Sequence, residues 1–154
     1  MSGILRERAV AGAAAALWPH ASDTERETRI ARAAWAIVAE TGDGVAGRTV
    51  NALGPVDALV AAGRAAAGSG AAPPGVAEAE WAAAVSRWRP RLAEGARLVA
   101  AALETMRRRG LTLLVPEDGP LWPEQLADLG DHAPPALWVR GDPVGLAGLH
   151  RGYW

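Results

Sequence analysis

Cysteine is absent, which excludes disulfides, thiolate metal sites and cysteine nucleophiles. Histidine is nearly absent: His20, His132 and His150 stand far apart, and no His-based metal site is expected. Phenylalanine is missing and there is one tyrosine, so the bulky core must come from Leu, Val, Ile and seven Trp. Half of the chain is apolar, but much of that is alanine, which forms helix well and buries little area per residue. This thin supply predicts a loosely packed or partner-dependent body. Lysine is missing too, and all sixteen basic residues are arginine. With a net charge of −1, no global positive field draws the chain onto nucleic acid, so any such site must be a local patch. No apolar run is long enough to span a bilayer. The alanine-rich run 9–18 is short and has Glu7 among its leading charges, a poor signal peptide, so the expectation is a cytoplasmic protein.

What is present reads mainly as helix. Residues 1–21 are expected to be a weakly ordered or helical tail. Ser22 and Glu25 have the S-x-x-E spacing of a capping box. Behind it Ile30, Ala34, Ile37 and Val38 share a face, with Gly42 as the stop. A short helix over 45–52 and another over 55–66 meet at Leu53-Gly54-Pro55-Val56, a helical hairpin. Residues 67–75, AGSGAAPPG, have the composition of a flexible linker. Helix resumes near Val76 with Trp81, Val85 and Trp88, and Pro90 is expected to break or restart it. Leu92, Ala96, Val99, Leu103 and Met106 then recur at helical spacing, ending in Arg107-Arg108-Arg109-Gly110.

The character changes at Leu111. Residues 111–115 and 136–140 read as buried strands around a short helix that starts at Trp122-Pro123, a βαβ-like unit. Two strands make a marginal sheet, so the isolated chain is expected to be poorly stable.

No catalytic constellation is found: neither G-x-G-x-x-G, nor G-x-x-x-x-G-K-[ST], nor a nucleophile elbow. The chain is therefore expected not to be an enzyme and to need no cofactor or metal. The candidate nucleic-acid contacts are Gly54, in the helix-hairpin-helix-like turn, and Arg107, Arg108 and Arg109 at the helix end. Pro55 has no N–H to offer a phosphate, and the three arginines also suit the negative end of a helix dipole. Trp122 and Trp138 could stack on bases, although beside an apolar strand they read first as core. Glu117-Asp118 reads first as a solvated turn.

The order of the parts is more telling than any one residue. ERETRIARAAWAIVAETGD (25–43), NALGPVDAL (51–59), GLTLLVPEDGPLWPEQLADLG (110–130) and APPALWVRGD (133–142) together resemble the start of the DNA-processing protein A family (DprA, also called Smf). Trp122-Pro123-Glu124-Gln125-Leu126 matches the family's W-P-x-x-L element, and Pro135, Leu137 and Gly141 match its next strand. Asp118 stands one residue further from Trp122 than the family pattern. The resemblance implies a sterile-alpha-motif-like helical domain over 22–109, then the start of a Rossmann-like domain over 110–142 and an irregular tail over 143–154. The expected fold is thus mainly α with an incomplete α/β segment. The resemblance also implies single-stranded DNA binding, loading of RecA recombinase in natural transformation, and a homodimer. Residues 143–154 do not resemble the family's Gly-Ser-Arg loop, so the expectation is a chain truncated before the Rossmann-like core, in which DNA binding is lost or rests on Arg107–Arg109. The alternative is a stand-alone helical module that docks on a protein partner.

Overall fold

The computed structural model describes residues 3–147. The helices α1 (Gly3–Arg6), α2 (Arg8–Leu17), α3 (Asp23–Val38), α4 (Gly44–Leu53), α5 (Pro55–Ala66), α6 (Glu78–Ala93) and α7 (Gly95–Arg109) come first. They are followed by β1 (Leu111–Leu114), two 3-10 segments (Pro116–Leu121 and Glu124–His132), β2 (Leu137–Arg140) and α8 (Pro143–Ala147). The chain is mainly α with a small sheet near its C-terminal end, as its sequence predicts.

The capping box is present in both directions. Ser22 N–H donates to Glu25 at 2.6 Å, and Glu25 N–H donates to the Ser22 hydroxyl at 3.2 Å. α3 buries Ile30, Ala34, Trp35 and Val38, then stops at Val38, short of Gly42. Gly42 (φ 79°) instead shapes the turn into α4. Gly54 (φ 81°) ends α4 and caps α5, a conformation that a residue with a Cβ rarely adopts. The tryptophans supply the centre of the core. Trp35 of α3 meets Trp88 of α6 edge-on at 5.2 Å, and Trp81 meets Trp88 edge-on at 5.7 Å. Val99, Leu103 and Met106 of α7 and Leu113 of β1 are buried in the same cluster.

The structure departs from the sequence reading at several points. Residues 3–17 are helical, the second of the two expected conditions, and they are packed: Ile4, Leu5, Val10 and Ala14 are buried, and α2 lies along α7. α1 also approaches α7 closely at Gly95, where an added Cβ would stand 2.4 Å from Ile4 Cδ1 and the Ile4 side chain would have to shift. The 67–75 segment has no helix or strand and is mostly exposed, with Pro73 buried and Ala72 N–H donating to Glu78 at 3.1 Å. Pro90 does not interrupt α6, and the break falls at Glu94. Pro90 forgoes one hydrogen bond and crowds the turn before it, yet α6 continues through it to Ala93. Finally, β1 and β2 pair antiparallel, with Leu111 opposite Arg140 and Leu114 opposite Leu137, so 111–140 is not a βαβ crossover. Residues 148–154 of the expected irregular tail lie outside the described residues; 143–147 form α8.

Candidate nucleic-acid interface

The end of α7 and the start of β1 are built by local chemistry. The three arginines of the last turn suit the negative end of the helix dipole, and Gly110 (φ 62°, ψ 36°) supplies the left-handed cap. The chain then enters β1 directly. Because Leu111 lies opposite Arg140, the end of α7 is brought beside the end of β2.

The arginines divide there. Arg107 pairs with Glu104 one turn back, at 2.7 Å. Its hydrogen bond is the main cause holding Glu104 below the usual carboxylate range, and Arg107 is itself pushed up. Arg108, Arg109 and Arg140 are exposed and make no ion pair among the described residues. The nearby Asp142 carboxylate accepts from Val144 N–H at 2.9 Å and caps α8.

Trp138 stands two residues before Arg140 and therefore on the same face of β2. Its sequence reads first as core, but it is 40% exposed. Only its inner edge is covered, where it lines a shallow apolar recess with Ala102, Thr105, Met106 and Leu111. Thr105 is three residues from Arg108 and four from Arg109, so recess and arginines share a flank of α7. The result is a half-exposed indole near three exposed guanidinium groups, of which Arg108 also feels the Glu104 carboxylate without pairing with it.

The other candidates are placed elsewhere. Gly54 lies where α4 meets α5, and the Pro55 carbonyl accepts from Trp35 Nε1 at 3.0 Å. Asp57 puts a carboxylate in the first turn of α5, which opposes a phosphate there. Gly54 is not joined to Arg107–Arg109: α5 packs on α3, α4 and α6, whereas α7 ends against β1. Trp122 is half-buried and lines a cleft of about 320 Å³ with Trp35, Val50 and Leu126, beside Glu40, Glu124 and Asp131, whose carboxylates oppose a phosphate there. Glu117 is exposed, as a solvated turn requires, whereas Asp118 is largely covered, and both are paired. Glu117 pairs with Arg32 at 2.7 Å, and Asp118 pairs with Arg29, which fastens α3 to the segment after β1. Arg64 and Arg89 line another groove, but Glu7 lies in it too.

Arg140 is the residue that sequence reading missed. Its signal is the alternation Trp138, Arg140 across one strand face, which is only meaningful once the outer edge of β2 is known to be free. Among the described residues no cluster of His, Asp and Glu fits a metal ion, and no helix is long and apolar enough to cross a membrane. No family model, curated protein or solved structure matches this chain.

Proposed function

We propose that the chain binds single-stranded nucleic acid, with single-stranded DNA as the ligand that its resemblance to the DNA-processing protein A family favours. The observation that carries this reading is the half-exposed Trp138 set among Arg108, Arg109 and Arg140, none of them ion-paired among the described residues. Compensation of a helix dipole accounts for cations at the end of α7. It does not account for Arg140 on a strand or for a solvent-facing indole beside it. A single strand offers what this patch matches: phosphates for the guanidinium groups and an unpaired base for the ring. The reading keeps two of the three arginines first singled out, Arg108 and Arg109, and replaces Arg107 and Gly54 with Arg140 and Trp138. RecA recombinase is the partner that would take over the bound strand, and this too rests on the resemblance.

The test is a titration of a fluorescent oligothymidine with the full chain over a range of salt concentrations. Three arginine–phosphate contacts predict a slope of log K against log salt of about −2. Arg108→Ala, Arg109→Ala and Arg140→Ala together flatten that slope. Trp138→Ala keeps the slope and costs about 1–3 kcal/mol, the worth of one stacked base. Absence of binding at low salt, or equal binding by all variants, overturns the reading. Salt-insensitive capture of a protein partner by this face would favour the helical docking module instead.

A further inference from the structure

The cleft that Trp122 lines lies between two parts of the chain. One wall is the helical body, where Trp35 of α3 and Ala46 and Val50 of α4 are buried. The other is the 116–135 segment, which contributes Trp122, Leu126 and Pro135. Three contacts join the walls. The Asp131 carbonyl lies against Gly47, His132 Nδ1 donates to the Gly42 carbonyl at 2.8 Å, and Asn51 Nδ2 donates to Asp131 Oδ1 at 3.0 Å. The space between them, about 320 Å³, is of the size that takes a small molecule.

The charges around this space are of one sign once the pairs are counted. Arg32 is the only cation among the described residues that line it, and it is committed to Glu117 by three hydrogen bonds at 2.7 to 3.2 Å. Asp43 is taken up by the α4 cap and Trp88, and Glu40 pairs with Arg91 at 2.8 Å. Glu124 has no ion pair among the described residues. Asp131 accepts from the neutral Asn51 amide, which leaves its charge unbalanced.

We propose that the cleft binds a small organic cation, a flat apolar body carrying one ammonium or amidinium group. The body is buried against Trp35, Val50, Trp122 and Leu126, and the Trp122 ring offers a cation–π contact. Glu124 and Asp131 balance the charge. A neutral ligand gains the apolar contact alone, and both carboxylates repel an anion. A lone arginine or lysine side chain from a partner protein brings the charge but not the wide apolar body that two tryptophans cover. None of Arg108, Arg109, Trp138 and Arg140 lines the cleft, so this site and the nucleic-acid patch do not compete.

The test uses the full chain, without nucleic acid, and three probes that share a naphthalene body: 1-naphthylmethylammonium, 1-naphthylmethanol and 1-naphthylacetate. Binding is followed by calorimetry and by the shifts of the amide and indole resonances. The ammonium probe is expected to bind once per chain, to shift the Trp122 indole and the 124–131 amides, and to leave Trp138 unmoved. The alcohol should bind about tenfold more weakly, and the acetate more weakly still. Glu124→Gln and Asp131→Asn should each weaken the ammonium probe about threefold and leave the alcohol unchanged, which separates a lost charge from a distorted cleft. A blocked Ala-Arg-Ala peptide, with the charge but no flat body, should not bind. No binding of the ammonium probe overturns the inference. So do equal affinities for the three naphthalene probes, an affinity that neither variant alters, shifts outside the cleft, or tighter binding of the peptide.

Discussion

Asp43 is 5% exposed at its side chain, and both of its oxygens are used. Oδ1 accepts from Val45 N–H and Ala46 N–H at 3.0 and 3.1 Å and so caps α4. Oδ2 accepts from Trp88 Nε1 at 2.9 Å and from Arg87 at 3.4 Å. Asp43→Ala removes the cap and leaves the buried indole N–H without its acceptor. The expected loss is about 2–4 kcal/mol in a urea unfolding titration. Asp43→Asn keeps one acceptor oxygen but turns the other into an NH2 donor that faces either the cap amides or the Trp88 indole N–H, so it should recover only part of the loss; full recovery would mean that only one of the two oxygens matters. Gly47 sets a second strict condition, since a Cβ there would stand 1.8 Å from the Asp131 carbonyl oxygen. Gly47→Ala must therefore lift the 124–132 segment off α4, which faster proteolysis of that segment would report. The Ser22–Glu25 box was legible in sequence because its partners are three residues apart. Asp43 was not, because Trp88 is 45 residues away and only the fold brings it near.

At the scale of elements, what periodicity can encode was legible and what it cannot encode was not. The α5 limits and the α7 terminus followed from Pro55 and Gly110. Gly110 (φ 62°) makes a testable case: Gly110→Ala forces a Cβ into a left-handed cap and should cost about 1 kcal/mol in thermal or chemical unfolding. A stabilised variant would show that α7 can pass into β1 by another route. An apolar run such as Leu111–Val115 marks a strand but carries no direction, and so the antiparallel pairing was missed. The same run does not say which face is covered. Leu113 and Leu114 are each 1% exposed, whereas Trp138 on β2 remains half-open. Burial on β1 comes from the helical body, which also explains why Asp118 is covered and both it and the exposed Glu117 are paired with α3 arginines. Most of the candidate interface was visible as separate residues; that Arg140 joins Arg108 and Arg109 required the strand register.

For the whole molecule, exposed capping and paired carboxylates tie stability to pH. Backbone and side-chain hydrogen bonds from Ser22 hold Glu25 below the ordinary carboxylate value. The Arg48 hydrogen bond, followed by that from Ala77 N–H, does the same for Glu80, and Arg107 does it for Glu104. A group whose pKa is depressed in the folded state contributes stability that is fully present above its unfolded value of about 4.3. That contribution is lost as pH falls through the lowered folded values. These three contacts tie α3 to its entrance, α4 to α6 and the last turns of α7 to one another, so their protonation loosens separate parts of the helical body at once. Because all three carboxylates face solvent and are screened, the unfolding midpoint should stay level from neutral pH down to about 5 and then fall gently toward pH 2. Glu25→Gln and Glu80→Gln should lower the midpoint at neutral pH and flatten the acid limb, each in proportion to the interaction it removes. Midpoints recorded by circular dichroism across this range decide the matter: an acid limb equally steep in wild type and in the double variant would assign the acid sensitivity to other carboxylates.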